Sequence, residues 1–441
     1  MVEGTSLLRT VHFKDLEKWN VNIYVNSHNI SFKYNAIKLE QIIIPRKERI
    51  KNKEYNGQYS IVEKIRFNDG RIFLRSEKNP KTDLNVSCKN DLLVSNINFE
   101  KGAFSLNSFG TIVTSTDYQS YKIIYPIDYD FFFYTLRCEV FLNLVKSLKS
   151  GGMKTRARYD FIKQFKIPVP PLEEQKTIIQ KYNDAIADAE RLEKKANEVE
   201  NSSKSYFDKK LEIIEFSPNP SNGLNFINFS LIDLWGVDKN LCRKTIRNKK
   251  YEVRSVESLC SVGSGGTPNR ANKDYYENGT IPWVKTTEVV DSCITDTEEK
   301  ITEKGYENSS AKIYEPNSLI IAMYGQGKTR GRTAKLNIAA STNQACAVLY
   351  DINTDIISVD YLWYYFQNEY ERIRELASGN NQPNLNAGMI KSYPVVIPPL
   401  SVQEEIVSHI NEIKANVKSL QKQASDLRTK AKQDFENAVF N

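Results

Sequence analysis

In several stretches of the 441-residue sequence, basic side chains alternate with aromatics and amides. The first holds Lys47, Arg49, Lys51 and Lys53, then Tyr55. Lys154, Arg156 and Arg158 follow Gly152. Further on come Arg270, Lys273, Tyr275 and Tyr276, then Lys285 just after Trp283, then Gln326, Lys328, Arg330 and Arg332. Asn381, Gln382 and Asn384 close the set. Lys and Arg hold phosphates, while Arg, Asn and Gln can read base edges with two hydrogen bonds. A solvated surface is the competing reading for any single residue; as a set they point to nucleic acid.

The residue types needed for catalysis are not arranged for it. There are three histidines (His12, His28 and His409), and none neighbours a pattern suited to metal or triad chemistry. Gly325-Gln326-Gly327-Lys328-Thr329 resembles part of a phosphate loop, but Ala322 stands where that loop needs its first glycine. Gly263-Ser264-Gly265-Gly266-Thr267-Pro268 lacks the third glycine of a dinucleotide fingerprint and reads as a turn. Glu298-Glu299 reads as a solvated face. The six cysteines are scattered with no CxxC pair, which argues against structural zinc and a disulfide framework and fits a reducing cytoplasm. No cofactor site is expected in this chain.

Composition narrows the class further. The sequence is 40% hydrophobic and 26% charged, a soluble globular balance, and too long for one ordinary core. No apolar run approaches a membrane span, and Met1 to Thr10 do not read as a secretory signal. The net charge of +7 is unevenly spread: residues 1–172 carry +10, residues 173–215 carry −3, and the remainder is neutral. A polyanion partner for the first segment fits that distribution.

These residues are positioned by an internal repeat. Pro170-Pro171-Leu172-Glu173-Glu174-Gln175 returns 228 residues later as Pro398-Pro399-Leu400-Ser401-Val402-Gln403, and the register holds on to Phe207 and Phe435. Asn90-Asp91-Leu92-Leu93-Val94 is echoed by Asn317-Ser318-Leu319-Ile320-Ile321, and Trp19 to Asn22 by Trp235 to Asp238. Short β-rich runs, with a hairpin turn at Asn68-Asp69-Gly70, lead in each half to an aromatic-rich helix, Asp130 to Leu148 and Asp360 to Leu376. After each proline pair a heptad seam begins. In the first helix it runs through Ile178, Tyr182, Ala185, Ala189, Leu192, Ala196, Val199 and Ser203. In the second it runs through Ile406, Ile410, Ile413, Val417, Leu420, Ala424, Leu427 and Ala431. The expected fold is a mixed α+β class. It has globular domains at 1–172 and 216–400 and long spacer helices at 173–215 and 401–441. After the breaker-rich link Phe216 to Pro220, the second helix can bury its seam by running back along the first. That predicts an antiparallel two-helix coiled coil with a pseudo-twofold axis and a globular domain at each end.

This arrangement resembles the DNA-specificity subunit of type I restriction-modification systems. The twice-used Pro-Pro-Leu-x-x-Gln with its heptad helix carries the likeness. So do Val262-Gly263 through Thr267-Pro268, Ile281-Pro282-Trp283-Val284 and Ser341-Thr342-Asn343-Gln344, which look like the family's target-recognition domain. The first half has no Gly-Gly-Thr-Pro and no Ile-Pro-Trp; its assignment rests on the repeat register and on Asn90 to Val94. The resemblance implies a non-catalytic subunit that binds double-stranded DNA at a bipartite, asymmetric site. It implies two modification subunits as partners, which bind S-adenosylmethionine and methylate adenine. Where a restriction subunit joins, ATP and Mg belong to that subunit.

Two other readings stay open at this level: a coiled-coil scaffold with no DNA role, and a self-sufficient enzyme. The spacer reading has a direct test. Inserting one heptad into both long helices adds about 10.5 Å, roughly 3 base pairs, to the gap between half-sites. Methylome sequencing reads that gap, and an unchanged gap refutes the spacer reading.

Overall fold

The computed structural model describes residues 32–76, 79–80, 82–148, 157–216, 245–325, 327–377 and 384–440. The tryptophan echoes at Trp19 and Trp235 and the link at Pro218 to Pro220 lie outside them. Described residues up to Glu193 group with those from Gln421 onward as a first unit, and Lys194–Leu420 form a second.

The first unit runs β1 (Ala36–Lys38), β2 (Ile43–Pro45), β3 (Arg49–Ile50), β4 (Ser60–Ile65), β5 (Ile72–Leu74), β6 (Leu84–Ser87), β7 (Leu92–Ser95), β8 (Phe104–Leu106), β9 (Ile112–Thr114) and β10 (Tyr118–Ile123). Helices α1 (Tyr129–Arg137) and α2 (Glu139–Leu148), strand β11 (Lys166–Pro168) and the long helix α3 (Leu172–Leu211) follow. One sheet has the order β2-β10-β7-β8 and another β3-β6-β9-β4-β5, while β1 pairs antiparallel with β11.

The second unit repeats this plan. After the β12 (Ile214–Phe216) and β13 (Thr245–Arg247) pair come β14 (Glu252–Ser255), β15 (Ser261–Ser264), β16 (Ile281–Val284), β17 (Ser292–Ile294), β18 (Glu299–Ile301), β19 (Leu319–Ala322), β20 (Thr333–Leu336), β21 (Ser341–Thr342) and β22 (Cys346–Tyr350). Then come α4 (Val359–Asn368), α5 (Tyr370–Glu375), β23 (Pro394–Ile397) and the long helix α6 (Leu400–Val439). The order β15-β22-β19-β20 matches β2-β10-β7-β8, with β17 added at the edge. The parallel pair β16–β21 matches β4–β9, and β14–β23 matches β1–β11.

Local sequence explains the shared parts. Every residue of β7 and β19 is buried, which suits their nearly unbroken apolar runs. The asparagine before each, Asn90 and Asn317, has φ +69°, a left-handed turn that asparagine tolerates. That requirement accounts for the echo seen in the sequence.

The expected aromatic helices differ from the structure in one respect, since each is broken once. Cys138 is extended (φ −63°, ψ 153°) and Glu139 N–H donates to Glu436 Oε1 at 2.6 Å, so a side chain from α6 caps a fresh helix start. The second break falls at Glu369, which is fully buried. Its carboxylate accepts from Arg372 and, at 2.7 Å, from the Tyr393 hydroxyl. A buried charge is stable only when paired in this way.

In each half the proline pair ends a strand and frees the next residue to start a long helix. The glutamine of the motif supplies the joint. Gln175 is 1% exposed; it accepts from Asp128 N–H at 2.8 Å and donates to Pro170 O at 2.7 Å. Gln403 is fully buried; it accepts from Ser358 N–H at 2.7 Å and donates to Pro398 O at 2.8 Å and Ile356 O at 3.0 Å. Asp128 and Ser358 are the N-caps of α1 and α4, so one glutamine locks each long helix to the aromatic helix of its unit.

Within each unit the two long helices pair in opposite directions. In the first, the Tyr182 and Phe435 rings lie 5.7 Å apart and Arg428 pairs with Glu193 at 3.0 Å. In the second, Tyr206 packs on His409 at 3.9 Å and Lys210 pairs with Glu405 at 2.6 Å. Numbers rise on one helix as they fall on the other. Ile178, Ala189, Ala196, Ile406, Ile410, Val417, Leu420, Ala424 and Ala431 are buried. Tyr182, Ala185, Leu192, Val199, Ser203, Ile413 and Leu427 are half-buried. Phe207 sits in the second unit's core beside Tyr361 and Tyr365, and Phe435 in the first unit's core beside Phe131 and Tyr134.

Replacing Gln175 or Gln403 by Ala leaves a buried N–H and a buried carbonyl without partners. Each change is expected to destabilise its unit by about 2–4 kcal/mol in a denaturant melt, with Gln403→Ala at the higher end.

Candidate nucleic-acid interface

The basic run of the first unit lies on the path from β2 to β4. Lys47 follows β2, Arg49 is in edge strand β3, and Lys51 and Lys53 belong to a tight turn whose first N–H, at Asn52, is held by Asp83 at 3.0 Å. All four side chains are exposed. Lys51 approaches Glu54 at 3.8 Å, while Lys47, Arg49 and Lys53 make no ion pair among the described residues. The run is anchored just before Lys47, where Arg46 grips buried Asp91 through two nitrogens, Nη2 at 2.9 Å. Asp91 also accepts from Cys88 N–H and Ser120 Oγ. Tyr55 is half-buried and donates to Tyr59 O, so it braces the loop.

The corresponding path in the second unit, from β15 to β16, carries Arg270, Lys273, Tyr275 and Tyr276. Two predicted basic clusters without sequence similarity therefore occupy the same topological place. Their charges are handled differently. The Arg270 guanidinium lies 4.5 Å from the Tyr276 ring centre and 4.6 Å from that of Trp283, and pairs with Glu299 at 2.5 Å. Lys285 pairs with Glu298 at 2.7 Å and Glu299 at 3.1 Å, and Lys273 approaches Glu277 at 3.8 Å. The Arg270 hydrogen bond holds Glu299 below the usual carboxylate range, and the Glu298 and Glu299 hydrogen bonds raise Lys285. Glu298-Glu299 is thus the counter-charge of these cations rather than a plain solvated face. Tyr275 O accepts from Thr302 N–H at 3.0 Å and Tyr276 Oη donates to Pro268 O at 2.6 Å, so both tyrosines hold the loop's shape.

The family-like motifs of this half turn out to be bonded to one another. Trp283 is buried and its Nε1–H donates to Gly266 O at 2.9 Å. Gly266 N–H donates to Thr342 O at 2.9 Å, and Asn343 N–H to Val284 O at 3.0 Å. A Cβ on Gly265 would sit 2.0 Å from Thr342 O, so the backbones touch where only glycine fits. Gly-Gly-Thr-Pro, Ile-Pro-Trp and Ser-Thr-Asn-Gln together make one joint beneath the loops.

A second site of convergence is a corner built alike in both units. In the second, the loop from β19 to β20 is closed by Ala322 N–H to Arg332 O at 2.9 Å. Tyr370 Oη donates to Lys328 O at 2.7 Å and Arg374 Nη1 to Arg330 O at 2.9 Å. Lys328 is exposed, and Arg332 lies 3.6 Å from Asp291. Leu385 N–H donates to Met323 O, which brings exposed Asn384 to the same loop. In the first unit, Ser95 N–H donates to Ala103 O, Arg137 donates to Gly102 O at 2.8 Å, and Ala157 N–H donates to Asn96 O at 2.7 Å, which places exposed Arg158 there. Gly102 (φ +83°) and Gly331 (φ +86°) make the same left-handed bend. Lys154, Arg156, Gln326, Asn381 and Gln382 lie outside the described residues. Gly325 to Thr329 leads from strand to strand, whereas a phosphate loop opens a helix. Among the described residues no cluster of His, Cys, Asp and Glu is arranged to hold a metal, and no helix is long and apolar enough to cross a membrane.

Comparison with known proteins gives a consistent picture. The family described as type I restriction modification DNA specificity domain matches twice, over residues 28–201 and 248–427. The chain is 23% identical over 323 residues to the type I restriction enzyme MjaIX specificity subunit of Methanocaldococcus jannaschii, covering 71% of this chain and 69% of that protein. It is 22% identical over 203 residues to the EcoR124I/EcoR124II specificity subunit of Escherichia coli, covering 45% of this chain and 50% of that one. Among solved structures, a chain from work on complex assembly and conformational transition of the type I R-M system aligns at TM-score 0.61 and 16% identity, over 92% of this chain and 97% of that one.

The ion pairs of the second unit make a measurable prediction. Glu299→Gln frees Arg270 and half-releases Lys285, so the variant is expected to elute later from heparin than the parent. Unchanged retention would mean that these cations do not face solvent anions.

Proposed function

The chain belongs to the type I restriction modification DNA specificity family, and from that premise we propose that it reads a bipartite, asymmetric DNA site, one half-site to each globular domain. The target-recognition domains are residues 1–172 and 216–400, with spacer helices at 173–215 and 401–441. The observation that carries the reading is the doubled framework. The two units share strand order and the glutamine joint, while the loops laid over them differ in sequence, length and charge. A common frame with unlike loops suits two unlike half-sites. A scaffold without DNA would leave the exposed run at Lys47 to Lys53 without a purpose.

The chain itself does no chemistry in this reading. It assembles with the other subunits of the system, and two modification subunits supply S-adenosylmethionine and adenine methylation. The repeated motif supports two like partners. Its leucine faces solvent in both copies, Leu172 at 43% and Leu400 at 40% exposure, although the neighbouring glutamine is buried. An apolar side chain exposed twice at equivalent positions suits two copies of one partner surface. Any restriction subunit would bring its own ATP and Mg.

Exchanging residues 1–165 for those of a homologous chain is expected to change one half-site in the methylome and leave the other intact. Leu172→Asp is expected to reduce the complex from two modification subunits to one by mass photometry, and adding Leu400→Asp to abolish it, with melting temperature unchanged. Duplex binding that ignores salt, or fails even with the partner present, would favour the scaffold.

A further inference from the structure

The corner loop that leaves the central buried strand carries, in each unit, an apolar tip that the basic runs of the sequence do not include. Ile97 stands two residues after β7 and Tyr324 two residues after β19. Ile97 is 44% exposed and Tyr324 41%. Four residues beyond each tip comes an exposed lysine, Lys101 in the first loop and Lys328 in the second. Neither lysine makes an ion pair among the described residues.

Both tips are held from behind. The residue before each is pinned at its two backbone groups. Asn96 N–H donates to Asp117 O at 2.8 Å, and Asn96 O accepts from Ala157 N–H at 2.7 Å. Met323 N–H donates to Ala345 O at 2.8 Å, and Met323 O accepts from Leu385 N–H at 3.1 Å. The loops are braced as well. In the first, the buried ring of Phe99 lies 5.2 Å from that of Phe104 and 6.4 Å from that of Phe141. In the second, a Cβ on Gly325 would lie 2.8 Å from Thr329 Cβ, so the loop closes tightly just after Tyr324. A single exposed apolar side chain needs no explanation, but one held rigidly in water at the same point of two unlike loops calls for a cover.

What is kept and what changes between the loops tells which cover fits. The exposed leucines of the proline motif are identical, as one partner surface used twice requires. Here the lysine is identical, whereas the tip is aliphatic in one unit and a phenol ring in the other. Phosphate is the same at every step of a duplex, and base edges are not. A constant cation beside a variable apolar tip therefore matches DNA rather than a repeated protein surface. The apolar feature of a base pair in the major groove is the methyl group of thymine.

We infer that Ile97 and Tyr324 each pack against a thymine methyl group in the major groove, one in each half-site, with Lys101 and Lys328 on neighbouring phosphates. This rests on the DNA-recognition reading above and names a residue in each domain that reads a base.

The test uses the full chain with its modification subunits and a duplex carrying the motif that methylome sequencing finds for the parent. The thymines of each half-site are replaced one at a time by deoxyuridine, which lacks only the methyl group. One replacement in each half-site is expected to weaken parental binding about fourfold, as burial of one methyl group predicts. In Ile97→Ala the replacement in the first domain's half-site loses its effect, the other keeps it, and the methylome motif relaxes at that one position. Tyr324→Ala does the converse. Ile97→Val, which keeps an apolar tip, should retain the parental response. Lys101→Ala and Lys328→Ala should each flatten the slope of log affinity against log salt by about 0.9 and leave the motif intact. Replacements without effect in either half-site, or alanine variants that respond as the parent does, overturn the contact. Alanine variants that lose modification subunits by mass photometry while keeping the parental deoxyuridine response make the tips a docking surface and overturn it too. A parental complex with no salt-dependent duplex binding overturns the function itself.

Discussion

A long helix that begins against a folded domain buries backbone amides and carbonyls at the joint, and each of them needs a partner there. Gln175 and Gln403 resolve that constraint with one side chain each. The amide oxygen takes the N-cap N–H of the aromatic helix, and the amide nitrogen takes the carbonyl of the first motif proline. A side-chain amide accepts through its oxygen while donating through its nitrogen, which is what this joint needs. A glutamate could not donate, and an alanine would leave both partners stranded. The direction in which each helix leaves its domain therefore follows from an amide, and the pairing of the helices follows from that direction.

A rigid exit lets the rest of the domain vary. In both units the central buried strand, the parallel pair beside it and the closing strand pair stay constant, whereas the segments that cross above them do not. The second unit secures its crossing with Trp283 and a glycine pair too tight for any Cβ. The first anchors the start of its crossing to the turn before β7 with the Arg46–Asp91 pair, buried and satisfied by two further donors. A tryptophan-to-carbonyl bond and a guanidinium–carboxylate fork thus anchor the two crossings to different strands of a common frame. That is why the first half lacks the second half's motifs yet has its fold.

The repeat was legible because its demands are local. Prolines stop a strand, a heptad seam needs a partner, and an asparagine turn precedes a buried strand; each shows within a few residues. The role of Gln175 was not legible, since its partner at Asp128 is remote in sequence and the prolines already explained the motif. The state of the cations was equally hidden. Nothing near Arg270 announces that Glu299 will neutralise it. Apolar periodicity continues through Cys138 and Glu369, so the sequence predicts both aromatic helices unbroken. The breaks come from tertiary bonds, one of them to Glu436, which is encoded almost three hundred residues later.

The same long-range dependence bears on how the protein is made. The first unit's core includes Phe435, packed on Phe131, Tyr134 and Tyr182. On the ribosome, residues 36–193 emerge well before residue 421. Until then Phe131, Tyr134 and Tyr182 lack their covering ring, and the α2 start at Glu139 has no cap. The second unit has its own helix ends in hand as soon as residue 420 is out. The domain synthesised first is therefore completed last, and throughout translation of the second it presents an open aromatic groove. Chaperone demand during synthesis should fall on this groove, and a nascent chain halted before residue 421 would be far more prone to degradation than its length suggests.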